Sequence, residues 1–249
     1  AAAQALASEF GALVIEDAAQ GSGCEWKGRP AGAHGAFGVL SFGRGKGVTG
    51  GKGGALLVND EALLGAASTA WNATSGSRAP RGSWKDLVLL KAQWLFGRPS
   101  LYWIPAALPF LGLGETTYHA PRPAGGISTL AAGVLIRTLP LVPAEVARRE
   151  ANAERLAARW GSHPVPAGWR AGWLRFPIVL QHTAETVLSP YNLRLGVMHG
   201  YPLALSDLEG FGVRRLNGEA EFPGACRLAE RLVTLPTHRF VRSARNPVF

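Results

Sequence analysis

Cysteine is scarce in this chain: its 249 residues hold two, Cys24 and Cys226. Two thiols exclude a disulfide framework and a multi-cysteine metal site, and both are expected to be buried. The six histidines, at 34, 119, 163, 182, 199 and 238, show no ligand spacing such as HExxH, so no metal is expected. Charged residues are 17% of the chain, and no run of one sign is long enough to hold a segment unfolded. An uninterrupted apolar run is lacking too. A membrane span needs about 20 such residues. The apolar stretch 84–113 is cut by Lys91 and Arg98 and broken at Pro99, Pro105 and Pro109. No transmembrane span is expected there, and short buried helices are preferred over an interfacial membrane element. The chain does not start with Met, and no basic signal-peptide segment opens it. The start, AAAQALASEFGALVIED, reads as the end of a helix entering a buried strand, so a preceding segment is expected.

What is present is a folding composition, 47% hydrophobic, with 32 Gly and 17 Pro concentrated in loops. The net charge is +9, from 26 Lys and Arg against 17 Asp and Glu. Only Lys27, Lys46, Lys52, Lys85 and Lys91 are lysines, and the arginines are spread along the chain. No basic run interleaves with aromatics, which argues against nucleic acid as a partner. A mild basic field suits a phosphorylated small molecule.

Along the chain, ALVIE (12–16), FGVLSF (37–42) and ALLV (55–58) read as strands, and Asp60 as the cap of a helix reaching about Trp71. A glycine-rich hairpin falls between Gly21 and Gly35, and a glycine loop covers 43–54. A long helical pattern runs from Ser128 to about Trp160, bent at Pro140 and Pro143. WLRFPIVLQ (173–181) reads as a strand, and 189–199 and 224–233 as helices. This order points to an α/β arrangement followed by a smaller α+β unit.

Chemistry concentrates in residues 14–58. Gly45, Gly47 and Gly50 match GxGxxG, but they lead into a strand instead of a helix, which argues against dinucleotide binding. Neither Lys46 nor Lys52 has the P-loop spacing. What remains is an acid, Asp17, ending one strand, a hydroxyl, Ser41, ending another, and Lys46 in the glycine loop after it. A lysine on a glycine loop can approach a cofactor closely and act as a Schiff-base nucleophile. An Asp can keep a pyridine nitrogen protonated, and a Ser can donate to a phosphate. Those are the requirements of a pyridoxal phosphate (PLP) site.

IEDAAQ (15–20), WKGRPAGAHG (26–35), SFGRGK (41–46) and GGALLVND (53–60) together resemble the DegT/StrS-type sugar aminotransferases of PLP fold type I. The likeness runs without a gap over about 45 residues, counted within that segment. It implies an α/β fold in which part of a PLP-transferase large domain, mainly parallel sheet with helices, precedes a smaller α+β domain. On that reading residues 1–126 form the PLP-binding part with an apolar helical insertion at 84–113, and 127–249 form a long linking helix and the small domain. The resemblance implies Lys46 as the Schiff-base lysine and Asp17 as the partner of the pyridine nitrogen. It places Gln20 beside the ring and Ser41 at the phosphate. Relatives with His for the lysine dehydrate their substrate, so Lys46 implies transamination. The implied enzyme is a cytoplasmic homodimer. It would take an amino donor such as glutamate and a nucleotide-linked keto sugar, for polysaccharide or glycan precursors. The family's Gly-Thr/Ser phosphate turn and stacking aromatic have no counterpart here. Its Asn-Tyr-Arg element is not recognisable in HAPRPAGGIST (119–129), and Arg122 is not assigned to it. These departures point to a truncated or divergent copy. The alternative is a non-catalytic or regulatory relative of the same fold.

Overall fold

The computed structural model describes residues 2–75, 84–98, 101, 103–106, 108, 125–161, 164–208 and 221–241. His119, Arg122 and His163 lie outside them, with the other residues of 99–124 that this range leaves out.

In chain order the elements are α1 (Ala2–Glu9), β1 (Ile15–Asp17), β2 (Glu25–Trp26), β3 (Arg29–Pro30), β4 (Phe37–Ser41), β5 (Gly54–Val58), α2 (Leu64–Ser75), α3 (Trp84–Phe96) and α4 (Trp103–Ala106). They continue with α5 (Thr129–Thr138), α6 (Val142–Trp160), β6 (Trp169–Arg170), β7 (Arg175–Val179), α7 (Pro190–Arg194), β8 (Met198–His199), α8 (Pro223–Arg231) and β9 (Leu232–Pro236). Contacts divide the chain into two compact units, Ala1–Gln93 with Pro123–Leu174, and Trp94–Arg122 with Arg175–Phe249.

The first unit is built on a three-stranded sheet in the order β1-β4-β5. β1 and β4 are parallel, with Asp17 beside Val39, and β5 returns antiparallel with Gly54 beside Ser41. Residues 18–35 cover one face of this sheet. A Cβ on Gly38 would lie 2.0 Å from the Gly32 carbonyl oxygen, so glycine is needed for the chain to cross that closely. Asn59 Nδ2 donates to the carbonyls of Gly32 and Gly35 at 2.8 and 3.0 Å. The Glu16 carboxylate accepts from the His34 amide at 2.9 Å. Burial raises the Glu16 carboxyl, but donation from the Gly32, His34 and Gly35 amides outweighs it and leaves the group below the usual carboxylate range.

The hairpin β2–β3 pairs with β6 in a second small sheet. Its turn carries Lys27 and Gly28 at φ 49° and 75°, and the Trp26 and Trp169 rings lie 6.1 Å apart. Arg170 bridges Glu25 and Glu150, at 3.3 and 2.6 Å.

The expected helix from 128 to 160 is two helices. α5 is capped by Ser128, whose Oγ accepts from Ala131, and a 3₁₀ turn at Leu139–Leu141 joins it to α6. The bend falls at the two prolines, as expected. By length and composition alone, 129–160 would be long and apolar enough to cross a membrane. Its Ala131, Leu135, Val146, Arg149, Asn152 and Ala153 are buried against the first unit's own chain.

The second unit centres on an antiparallel sheet in the order β7-β9-β8. Phe176, Ile178, Val197, Val233 and Leu235 form its core with Ala184 and Val187. Arg175 ties the sheet, donating to Thr234 Oγ1 and to the Gly196 carbonyl.

Several expectations are corrected. The strand at 12–16 is shorter, β1, and is not buried: Ile15 is 66% exposed, since no described element covers that face of the sheet. The helix expected at 189–199 ends at Arg194, because Gly196 at φ +83° turns the chain into β8. The helix at 224–233 gives way at Leu232 to β9, whose pairing with β7 overrides local helical preference. Both cysteines are half-buried. The apolar stretch starting at Trp84 was expected to be buried, yet α3 has no buried residue.

Candidate active site

β1 and β4 are parallel and in register, so their C-terminal ends lie at one edge of the sheet. Asp17 is the last residue of β1 and Ser41 the last of β4. Asp17 stands beside Val39, and Ser41 is two residues further along, so both are on the same sheet face. That face is the one opposite residues 18–35, and it is open. Asp17 is exposed and its Oδ1 accepts only from the Ala19 amide, at 3.0 Å, among the described residues. Ser41 Oγ accepts from the Gly43 amide at 3.4 Å, leaving its proton to donate outward. Gln20 is exposed, three residues past Asp17.

Lys46 follows on the glycine loop. Its backbone amide donates to the Gly43 carbonyl at 3.4 Å, within a turn whose Gly45 and Gly47 have φ of 77° and 83°. Only glycine takes such a conformation without strain. The Lys46 side chain is half-buried, and its amine has no hydrogen-bond or ion-pair partner among the described residues. Lys52, the other lysine of the loop, is paired with Asp86. The loop thus offers one free amine and one neutralised one.

The loop is open on its near half and clamped on its far half. A Cβ on Gly45 would meet nothing within 4 Å, and on Gly43 only Ser41 Oγ at 3.5 Å. Beyond Lys46 the space closes. A Cβ on Gly47 would lie 2.7 Å from Ser22 and 2.8 Å from Leu174, on Gly50 2.9 Å from the Ala131 carbonyl, and on Gly51 2.6 Å from Leu90. Thr49 Oγ1 donates to the Phe42 carbonyl at 3.0 Å and accepts from the Gly51 amide at 2.9 Å, closing the loop on itself.

Arg149 of α6 completes the clamp. It is 4% exposed and donates to the carbonyls of Gly47, Gly172 and Ser22 at 3.0, 3.3 and 3.5 Å. Burial lowers its guanidinium pKa, while the nearby Glu145 and Cys24 act the other way. Ser22 Oγ, buried against the same loop, has no hydrogen-bond partner among the described residues. Arg149 belongs to the Arg-Arg pair of 148–155, for which the sequence implies no role in the site. A signal exists, because Val146, Arg149 and Ala153 follow the spacing of one buried helix stripe.

An acid and a hydroxyl at the carboxyl ends of parallel strands, followed by a lysine on a glycine loop, stand where α/β proteins commonly hold their ligands. The sequence pattern of the DegT/DnrJ/EryC1/StrS aminotransferase family matches residues 1–245, and the chain belongs to that family. Among curated relatives, the L-glutamine:scyllo-inosose aminotransferase of Streptomyces griseus is 47% identical over 55 residues, 22% of this chain and 13% of that protein. EpsN of Bacillus subtilis, whose name describes a pyridoxal phosphate-dependent aminotransferase, is 44% identical over 59 residues, 24% of this chain and 15% of that one. A DegT/DnrJ/EryC1/StrS aminotransferase from Brucella abortus shares the fold with a TM-score of 0.64 at 23% identity, covering 97% of this chain and 56% of that one. DesV of S. venezuelae does so with a TM-score of 0.68 at 19% identity, covering 98% and 57%. The chain therefore spans little more than half the length of these solved structures. Its fold is part of the PLP aminotransferase fold.

Proposed function

We propose that this chain carries the lysine-bearing part of a PLP-dependent aminotransferase that aminates a keto sugar. The observation that carries this reading is the free, half-buried Lys46 amine on a loop leaving β4, whose last residue, Ser41, shares a sheet face with Asp17. The donor set suits the cofactor: a carboxylate, a hydroxyl with its proton free, and an amine without a counter-ion, all beside a loop that is open at Gly43 and Gly45.

Bound PLP supplies an electron sink for the carbon that loses or gains the amine. Lys46 would hold the cofactor through its amine and, once displaced from it by the incoming substrate amine, would be the base that moves a proton to and from the substrate carbon. Asp17 would keep the ring nitrogen protonated, Gln20 would pack beside the ring, and Ser41 would donate to the phosphate. On this reading the cofactor belongs to residues 1–126, while 127–249 supply the linking helix and the smaller domain.

The acceptor is a keto sugar linked to a nucleotide, used for polysaccharide or glycan precursors, and the enzyme works as a cytoplasmic homodimer. The family membership supports the sugar class. The donor is glutamate or its amide. The name of the Streptomyces griseus relative, which specifies L-glutamine, supports a donor of this pair.

The test follows amine transfer from glutamate and from glutamine to a panel of nucleotide-linked and free keto sugars, with product detected by mass. The wild type is expected to aminate a nucleotide-linked sugar, and Lys46→Ala to lose at least a thousandfold in rate. A wild type that retains PLP but aminates no member of the panel would favour the non-catalytic relative.

A further inference from the structure

We propose that α3 is a docking element for an anionic membrane surface. The helix is inverted relative to an ordinary surface helix, which turns its apolar stripe inward. α3 meets the first unit with its polar side. Asp86 pairs with Lys52, Gln93 Nε2 donates to the Gly51 carbonyl at 3.4 Å, and Leu90 packs over Gly51. At 100° per residue these three lie on one stripe. The opposite stripe carries Trp84, Leu87, Val88 and Lys91, all exposed, with Trp84 at 70% and Val88 at 54%. Scattered exposed apolar residues need no explanation, but a continuous stripe of them marks an interaction surface.

Charge identifies the occupant. Lys85 and Lys91 are exposed, on the same stretch as the Trp84 indole. Asp86 is the one acid between 84 and 93, and it is paired with Lys52. The solvent side of this part of the helix therefore joins apolar groups and an indole ring to cations without a compensating acid. Indoles and lysines are the side chains that settle at lipid headgroup level, with lysine stems lying along the apolar surface and their amines reaching the anionic groups. A second copy that set α3 against α3 about a two-fold axis would bring the same cations, and no unpaired acid, to the shared face.

The experiment is co-sedimentation of the full chain with vesicles of phosphatidylcholine alone and of phosphatidylcholine with phosphatidylglycerol. Binding to the anionic vesicles only is expected. Val88→Asp and Lys91→Glu should each weaken it at least tenfold. Arg227→Glu, an equal charge reversal at an exposed position of α8, should leave it within twofold. Circular dichroism checks that each variant is folded, and Lys91→Glu keeps the test decisive if Val88→Asp does not fold. No binding by the wild type overturns the proposal. So does an equal loss for Lys91→Glu and Arg227→Glu, which would indicate diffuse charge attraction. Self-association that Val88→Asp abolishes, without vesicle binding, would assign the face to a second copy.

Discussion

The Arg149 guanidinium donates to the Gly47 carbonyl at 3.0 Å, one residue beyond Lys46. A helix 102 residues away in sequence thus holds the loop that presents the free amine. Replacing Arg149 with Met strands three carbonyls, that of Gly172 buried and those of Gly47 and Ser22 part-buried, and should cost about 2–3 kcal/mol. Urea unfolding measures the loss. Arg149→Lys should recover only part of it, since an ammonium cannot reproduce the planar fork. Tryptic cleavage after Arg44 and Lys46 should accelerate in both variants before global unfolding does.

The glycines on either side of Lys46 should respond differently to the same substitution. Gly45→Ala meets no neighbour, so it should cost about 1 kcal/mol for the left-handed backbone alone. Gly47→Ala adds an overlap with Ser22 and Leu174. It should cost at least about 2 kcal/mol more, because a packed site must shift to admit it. Equal unfolding midpoints for the two variants would contradict the clamp.

Glu16 sets a pH dependence whose sign follows from its lowered pKa. The folded carboxyl lies below its unfolded value, so its contribution is complete above about pH 4.3–4.5, the unfolded range, and is lost as pH falls through the lower folded value. Glu16→Gln should be less stable than the wild type at pH 7, and the gap should close below that range. Denaturant unfolding across pH 3–7 reads it directly.

Ser41→Ala tests the phosphate end of the proposed cofactor site. Removing a hydrogen bond to a charged group costs about 1.5–3 kcal/mol, which corresponds to a roughly 10- to 100-fold rise in the PLP dissociation constant. Stability should be nearly unchanged, since Ser41 Oγ accepts only the long bond from Gly43. Equilibrium dialysis against PLP and a thermal melt separate the two effects.

Much of the candidate site was legible in the sequence because it is local. Asp17, Ser41 and Lys46 lie within 30 residues, and strand ends and glycine turns mark themselves by composition. The parallel pairing that puts Asp17 and Ser41 on one face also follows the strand order expected for an α/β protein. Arg149 was harder to see because its three acceptors are backbone carbonyls, which leave no trace in side-chain identity. The placement of α3 is hidden in the sequence for a related reason. Apolarity shows that a helix has an apolar stripe, but not which way it turns. Here the Asp86–Lys52 pair and the Gln93 bond turn the polar side inward. Similarly, Gly196 ended α7 where the helical pattern alone ran on to His199.

Reductive trapping of PLP on the purified chain, followed by peptide mass mapping, tests the central claim most directly. Five lysines compete, and Lys52 lies on the same loop, six residues further on. The account predicts that the reduced cofactor is found on Lys46, that Lys46→Ala does not transfer it to Lys52, and that Asp17→Ala weakens the labelling. Label spread evenly over the lysines, or concentrated on any lysine other than Lys46, would contradict it.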